Sequence, residues 1–357
     1  MLAGNVTASL VDGDLIVTGD RLDNSVEIAI VSGDLVVRGF DDTTINGAVT
    51  PFVAVAGSAT IADDLFVRLG SGDDVLILND GIEVTDRALI SLSNGNDEFG
   101  ASNITVGTDL NIFAWRGDDT IHLDNIDVGD DLLIHSTTGD DTINVLNSDI
   151  SDDVRVTTGK GNDAVIIDTS TIGDDVDVRL GRDNDDLVVR NSTIGDNLIA
   201  RTRKGDDFVM VDPSRIGGQA NIGLGKGHDS FVDQGANEYG SLIVRGGRGT
   251  DGVDIDSAST TSGLQRVVKS ESRTVRDSTI DTRLNGTTGA LTRSAAATTL
   301  FAAFFPDSTP ENVAPTTTGI DDIDVDEGAA DSIVSLFDAF DDAEDADAAL
   351  TYTIENN

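Results

Sequence analysis

The chain repeats a short Gly-Asp segment at a nearly constant interval, and this repeat is the feature that most constrains its fold. The last aspartates of the segments, called here the Asp column, are Asp74, Asp97, Asp119, Asp141, Asp163, Asp185, Asp207, Asp229 and Asp251. The first interval is 23 residues and the next seven are 22. A register held over eight intervals indicates a structural unit stacked on copies of itself.

Apolar residues alternate with polar ones on both sides of the Asp column. Those two residues after each aspartate are Leu76, Phe99, Ile121, Ile143, Val165, Leu187, Val209, Phe231 and Val253. A second alternating run includes Leu110, Leu132, Val154, Val176 and Leu198. Alternation with period two is typical of strands with one buried face. We therefore predict an all-β, right-handed parallel β-solenoid of 22-residue coils, each with two short strands and two turns. A leucine-rich repeat has a similar length, but its fixed Leu and Asn spacing is missing.

The repeat divides the chain into four predicted segments. Residues 1–60 are an N-terminal β cap, because an open solenoid end would expose a sheet edge. Residues 61–256 are the solenoid, and residues 257–309 are a C-terminal cap and linker. Residues 310–357 contain no Lys or Arg and end in a strand pattern, which indicates a β-sandwich-like domain that is cut short.

Composition narrows the function classes. The chain has 65 acidic and 23 basic side chains, a formal net charge of -42. Such a polyanion repels nucleic acid and anionic membrane surfaces, so we expect cations as its partners. The absence of cysteine excludes disulfides and thiolate metal sites. No run of 18 apolar residues is present, so no membrane span is expected.

The turn segments resemble the calcium-binding nonapeptide of haemolysin-type (RTX-like) proteins, Gly-Gly-x-Gly-x-Asp-x-apolar-x. The match is complete over residues 246–254 and nearly complete over residues 70–76, 159–165 and 225–231. The calcium ligands that this resemblance implies are Asp74, Asp163, Asp229 and Asp251. The family's coil has 18 residues and two calcium turns, whereas this chain has 22 residues and one such turn per coil. Several turns also lack the glycine four residues before the aspartate and have Trp115, Thr137 or Arg203 in its place.

A purely structural role for the Asp column stays open beside the calcium role. Aspartate before a strand commonly caps a turn by accepting backbone N–H bonds. Stacked carboxylates about 5 Å apart repel each other, so the column requires neutralisation. Later coils place a basic residue three positions before each aspartate, at Lys160, Arg182, Lys204, Lys226 and Arg248. Early coils instead carry extra acids at Asp73, Asp118 and Asp140, which favours a metal ion there.

Residues 310–352 resemble the opening half of a bacterial cadherin-like tandem domain. The resemblance rests on the segment 310–315, on Glu327, and on Asp345 and Asp347 before a Leu-x-Tyr strand. It implies that Glu327, Asp345 and Asp347 bind calcium. The first eight residues resemble the point just after the export leader of large planctomycete-type surface proteins, which implies an extracellular or cell-surface location.

These observations predict a non-catalytic structural or adhesive surface module that calcium stabilises. Its expected partners are calcium and extracellular polysaccharide or other surface proteins. The alternative is a β-helix protein that binds or degrades polysaccharide. That alternative needs an irregular cluster in one groove, and the off-pattern residues Trp115, His122, His135, His228 and Tyr239 do not share one column. A second acidic set on the opposite turn, Asp130, Asp131, Asp152, Asp153, Asp174 and Asp175, is interpreted as a solvated edge.

Overall fold

A computed structural model describes residues 4–79, 81–268 and 272–276 and two short strands near the C-terminus. The chain divides into two compact units, residues 1–293 and 294–357. In the second unit the described residues are strands β35 (Thr316–Thr317) and β36 (Phe340–Asp341), which pair antiparallel. Glu327, Asp345 and Asp347, and most of the predicted cadherin-like segment, lie outside the described residues.

The first unit contains two sheets, and the first of them has 21 strands. Its longer strands are β1 (Asn5–Val11), β2 (Asp14–Thr18), β8 (Leu65–Ser71), β11 (Ala88–Asn94), β14 (Leu110–Arg116), β17 (Leu132–Thr138), β20 (Val154–Lys160), β23 (Val176–Arg182), β26 (Leu198–Lys204), β28 (Arg215–Gly223), β30 (Glu238–Arg245) and β33 (Gln265–Val268). Its two-residue strands are β5 (Thr44–Ile45), β7 (Thr60–Ile61), β10 (Glu83–Val84), β13 (Thr105–Val106), β16 (Asp127–Val128), β19 (Asp149–Ile150), β22 (Thr171–Ile172), β25 (Thr193–Ile194) and β32 (Thr260–Thr261).

The second sheet has 13 strands. They are β3 (Ser25–Val31), β4 (Asp34–Gly39), β6 (Phe52–Val55), β9 (Val75–Leu78), β12 (Glu98–Ser102), β15 (Thr120–Asp124), β18 (Thr142–Leu146), β21 (Ala164–Asp168), β24 (Asp186–Arg190), β27 (Phe208–Asp212), β29 (Ser230–Asp233), β31 (Gly252–Asp256) and β34 (Ser272–Arg276).

Parallel pairing at a constant 22-residue offset confirms the predicted β-solenoid. Strand β17 pairs with β20 so that Leu132 lies beside Val154, and β20 pairs with β23 so that Val154 lies beside Val176. In the second sheet Ile143 pairs with Val165 in the same way. Within the described residues there is no helix of the length and hydrophobicity needed to span a bilayer.

Most coils have three strands rather than the predicted two, and in β28 and β30 the short strand is continuous with the longer one that follows it. The third is a two-residue strand such as β16 or β19, which pairs with its equivalents one coil away. It contributes one buried side chain, for example Val128 or Ile150. A single inward residue produces no alternation, and for this reason the sequence pattern showed an apolar position there but not a strand.

Antiparallel hairpins lie at the N-terminal end of the coils. Strand β2 pairs antiparallel with β1 and parallel with β8. Strand β3 likewise pairs antiparallel with β4 and parallel with β9. Each hairpin therefore continues one sheet and covers strands that would otherwise present unpaired backbone groups.

The core is a set of stacked aliphatic columns between the two sheets. Val154, Val156, Ile143 and Val145 are all buried, as are Phe99 and Phe231, the largest of the fully buried side chains. Stacking of small β-branched residues in register fills this interior with few aromatic residues. The low aromatic content of the chain, 4%, follows from this arrangement.

Val165→Asp is expected to lower the free energy of unfolding by about 3–5 kcal/mol, because it buries a charge that has no partner. The side chain of Val165 is 1% exposed and belongs to the main core. The measurement is chemical denaturation of both the variant and wild type. Thr142→Asp, on the neighbouring strand and partly exposed, is the control and should cost much less. Equal effects of the two substitutions would contradict the inward orientation of Val165.

Candidate functional site

The Asp column lies inside the turn between the two sheets, and its side chains are 0–2% exposed. Each carboxyl accepts a hydrogen bond from the backbone N–H of the column residue one coil earlier. The Asp74 N–H donates to Oδ1 of Asp97 at 2.8 Å, and the Asp97 N–H donates to Oδ1 of Asp119 at 2.9 Å. The series continues without a break to the Asp229 N–H, which donates to Oδ1 of Asp251 at 3.3 Å. Asn24 of the N-terminal hairpins starts it by donating to Asp74 at 2.8 Å.

Local backbone geometry explains why aspartate is needed at this turn. Two residues before the aspartate the chain adopts a positive φ, for example 121° at Gly117 and 127° at Gly139, which glycine adopts without strain. The turn departs from strand geometry, and the N–H groups of the column aspartate and of the residue before it bond to side chains in place of strand carbonyls. A buried N–H without an acceptor is costly, and the carboxyl of the next coil supplies one.

The second carboxyl oxygen, Oδ2, has different surroundings along the Asp column. Ser136 donates to Oδ2 of Asp141 at 2.6 Å. Asp97 and Asp119 instead follow Leu92 and Ala114. Their Oδ2 atoms are buried without a hydrogen-bond partner among the described residues. The Oδ2 atom of Asp185 accepts the backbone N–H of Gly181 at 3.1 Å, so carboxyls with and without a partner for Oδ2 both occur in the column, in no regular order.

Burial raises the pKa of the column carboxyls well above the usual value for aspartate. Desolvation raises the pKa of Asp97 to about 7 and that of Asp119 to about 8, while a backbone hydrogen bond to each acts in the opposite direction. Desolvation also raises the pKa of Asp185 to about 8 and that of Asp229 to about 7. A bound proton removes the repulsion between stacked carboxylates. Protonation is thus a third means of neutralisation, besides the basic residues and the metal ion that the sequence suggested.

Two further side-chain columns support the turns, and sequence reasoning missed both. One is a serine column, in which the Ser148 N–H donates to Oγ of Ser170 at 3.1 Å and the Ser170 N–H donates to Oγ of Ser192 at 3.1 Å. The other is the exposed residue just before each column aspartate, as where the Asp140 N–H donates to Oδ1 of Asp118 at 2.8 Å. Their 22-residue spacing was a visible signal for both.

The opposite turn carries an exposed acidic edge, defined as Asp130, Asp131, Asp152, Asp153, Asp174, Asp175 and Asp196. Within it, three triads have carboxylate oxygens that all lie within 4.8 Å of one another. One is formed by Asp174, Asp175 and Asp196, and a similar group of Asp14, Asp63 and Asp64 lies near the N-terminal hairpins. Partial desolvation, followed by the neighbouring carboxylates, raises the pKa of Asp174. These aspartate clusters have a geometry that could hold a metal ion.

Parts of the acidic edge already have partners. Asp153 accepts the Asp175 N–H at 2.9 Å, and Asp175 accepts the Asn197 N–H at 2.9 Å, so this edge also caps its turn. Arg155 bridges Asp131 and Asp153. The exposed carboxylates of Asp174 and Asp196 make no ion pair with the described residues, which makes their triad the one most available to a cation.

The structure separates the aspartates that the RTX-like resemblance suggested as ligands. Asp229 and Asp251 lie one coil apart and are joined by the N–H to Oδ1 bond described above. Asp74 and Asp163 are four coils apart and share no site with each other or with that pair. All four belong to the buried column, whereas the clustered exposed carboxylates are on the opposite turn.

Three aromatic side chains meet on the outer surface of the first sheet, and two of them, Trp115 and His135, are off-pattern residues that lie in different columns. The Phe113 and Trp115 rings stack with centroids 5.9 Å apart. The His135 ring packs edge-on against Trp115 at 5.6 Å. Because Phe113 pairs with His135 across strands β14 and β17, residues from two coils form one cluster.

Comparison with known protein families, with curated protein sequences and with solved structures finds no match to this chain. The RTX-like and cadherin-like resemblances therefore stay predictions. The function has to be argued from the geometry of the turns and faces.

The Asp column is expected to make the stability of the chain depend on pH between about 4 and 8. The pKa of Asp119 is about 8 in the folded chain and 3.8 without the fold, so the folded state holds a proton that the unfolded state releases. Its contribution to stability is complete below pH 4 and is lost as the pH rises to 8. Denaturation at pH 5, 6.5 and 8 should show a smaller pH dependence in Asp119→Asn than in wild type.

Asp127→Asn is the matched control, because it removes one carboxylate at an exposed position. It makes the same chemical change outside the Asp column and should leave the pH dependence unchanged. If Asp119→Asn and Asp127→Asn have the same pH dependence as wild type, the column carboxyls are ionised throughout this range and the assigned protonation is wrong.

Proposed function

We propose that the chain is a non-catalytic structural module of the cell surface, in which a stiff solenoid carries an acidic exterior. The observation that carries this proposal is the use of the repeated acidic residues within the fold. The Asp column supplies hydrogen-bond acceptors to every coil, from Asn24 through Asp251. Because these residues hold neighbouring coils together, their role is structural, which is typical of a scaffold.

The surface chemistry supports a location outside the cell. A formal charge of -42 keeps the module hydrated and separated from other copies of itself. Its stability needs no disulfide, because each coil is bonded to the next along both sheets and at the turns. The resemblance of the first residues to planctomycete-type surface proteins agrees with this location. Adhesion to other surface proteins fits the same module.

We further propose that calcium binds the acidic edge and stabilises the coils. Calcium prefers six to eight oxygen ligands, often carboxylates, in a flexible arrangement. Asp174, Asp175 and Asp196 supply such oxygens from successive coils at one exposed site. An ion there would tie two or three coils together and relieve repulsion between the carboxylates. The buried pair Asp229 and Asp251, implied by the RTX-like resemblance, is the competing site.

Millimolar calcium is expected to raise the melting temperature by about 5–10 °C. Binding to the folded state alone stabilises it by about 2.7 kcal/mol when the calcium concentration is a hundredfold above Kd. Asp174→Asn/Asp196→Asn should abolish most of this rise without removing a turn acceptor. Asp229→Asn/Asp251→Asn should retain it. Magnesium should act more weakly, because it requires a tighter octahedral site. The measurement is thermal unfolding with calcium, magnesium or chelator.

Three outcomes would contradict parts of this proposal. Loss of the calcium effect only in Asp229→Asn/Asp251→Asn would place the ion in the buried column. Equal effects of calcium and magnesium in every variant would mean general screening of charge. Release of new sugar ends when the chain is incubated with polysaccharides would show that it degrades them and would overturn the non-catalytic role.

A further inference from the structure

Basic side chains are concentrated on one part of this acidic molecule. Arg201, Arg203 and Arg245 lie on the outer surface of the first sheet, on strands β26 and β30, and all three are exposed. The neighbouring turn adds three more exposed basic residues, namely Lys204, Lys226 and Arg248. These six residues are called here the basic face. No ion pair joins Arg203, Lys204, Lys226 or Arg248 to a carboxylate within the described part of the chain, so their charges are available to a partner.

The basic face surrounds a shallow depression of about 460 Å³. Arg201 pairs with Gly223, and Gly223 pairs with Arg245, so the glycine lies between two arginines that are about 10 Å apart. A Cβ atom added at Gly223 would meet only the Ala200 carbonyl oxygen, at 3.8 Å. The backbone therefore does not require glycine at this position, and its effect is to leave the floor of the depression open.

Backbone strain marks two residues on the same sheet surface. Four positions before the column aspartate, Gly159, Gly225 and Gly247 adopt positive φ angles of 99–112°. Trp115 and Arg203 occupy that position in their own coils and have φ angles of 73°. Large side chains in this conformation cost energy, of order 1–3 kcal/mol, and such residues concentrate at functional sites. Here the strain places an exposed indole and an unpaired guanidinium at a position where five of the nine turns have glycine and the other two have the small residues Ser93 and Thr137.

We propose that the outer surface of the first sheet, from the Phe113–Trp115–His135 cluster to the basic face, binds a linear acidic polysaccharide. Guanidinium groups bind carboxylate and sulfate groups through two parallel hydrogen bonds, and arginine is favoured over lysine for this reason. The aromatic rings offer an exposed flat surface on which the apolar face of a sugar ring packs. Strands β14 and β26 are four strand spacings, about 19 Å, apart. One chain of several sugar residues spans that distance.

A polysaccharide fits these observations better than an acidic peptide or a nucleic acid. An acidic peptide would use the arginines but has no need of the aromatic cluster. A nucleic acid would need aromatic rings between the cationic groups for its bases, and the arginines lie three to six strands away from the rings. A second copy of this chain would bring another charge of -42 with it. The proposal goes beyond the structural role and does not depend on calcium.

The experiment measures binding of polygalacturonate and of dextran sulfate to the full chain by calorimetry in the presence of a chelator. Trp115 is the single tryptophan of the chain, so its fluorescence reports contact at the aromatic cluster. We expect binding of at least one of the two polyanions, with a change in Trp115 fluorescence and with weaker affinity at high salt. Neutral dextran should bind far more weakly.

Four variants test the proposed contacts. Arg203→Gly should lower affinity by about tenfold and melt at least as high as wild type, because it restores the glycine of the repeat. Arg245→Gln should also weaken binding, and Gly223→Val should block the depression without a loss of stability. Trp115→Gly should weaken binding because it removes the indole of the aromatic cluster. Its affinity is measured by calorimetry, since this variant has no tryptophan fluorescence. Arg21→Gln/Arg215→Gln is the control and removes two exposed charges elsewhere, with no expected effect on affinity.

Several outcomes would overturn the proposal. They are failure of both polyanions to bind, unchanged affinity in Arg203→Gly/Arg245→Gln, and equal loss of affinity in the control variant. Binding of polyglutamate or single-stranded poly(dT) as tight as that of the polysaccharides would show a general polyanion surface or a different partner. Because chelator is present throughout, these outcomes are independent of whether calcium binds the acidic edge.

Discussion

The solenoid depends on supplying acceptors for the backbone N–H groups of its turns. Strand residues bond to their equivalents one coil away, but in the turn between the two sheets the N–H groups of two successive residues, the column aspartate and the one before it, bond to side chains in place of carbonyls. The Asp column solves this at every coil, as where the Asp119 N–H donates to Asp141 and the Asp141 N–H donates to Asp163. The serine column and the exposed residues beside the Asp column do the same for neighbouring N–H groups. The 22-residue period holds over seven intervals, and the one 23-residue interval, from Asp74 to Asp97, still keeps its bond at 2.8 Å, so the extra residue of that coil leaves the Asp column in register.

This use of aspartate determines how charge is distributed over the molecule. Carboxyls that are buried as acceptors have a raised pKa because they are desolvated, so the inner column carries less charge than the composition implies. The exposed acidic edge concentrates further carboxyl groups on the opposite turn. Arg201, Arg203 and Arg245 lie on a third surface, the outer side of the first sheet. The formal charge of -42 is thus distributed over three different environments.

Much of the fold could be predicted from sequence because the repeat shows each constraint several times. The inward columns that include Val154 and Val165 followed from alternation alone. The partners of the Asp column could not be predicted, since the direction of a turn N–H depends on how coils stack. The aromatic cluster was missed for a similar reason, because Trp115 and His135 are 20 residues apart and meet only across neighbouring strands. Most glycines of the repeat are required by backbone conformation, so the sequence gives no reason to single out Gly223. Only the structure shows that the space beside it is open.

The most direct test of the acceptor role of the Asp column is native-state hydrogen exchange of its backbone N–H groups, read residue by residue by NMR. The account predicts that the N–H groups of Asp97, Asp119, Asp141 and Asp185 exchange as slowly as that of Val165 in the adjoining strand, because each is buried and bonded to a carboxyl of the next coil. Exchange at the rate of an exposed turn, with slow exchange limited to the strands, would contradict it. The side-chain column would then not be what holds the coils together at this turn.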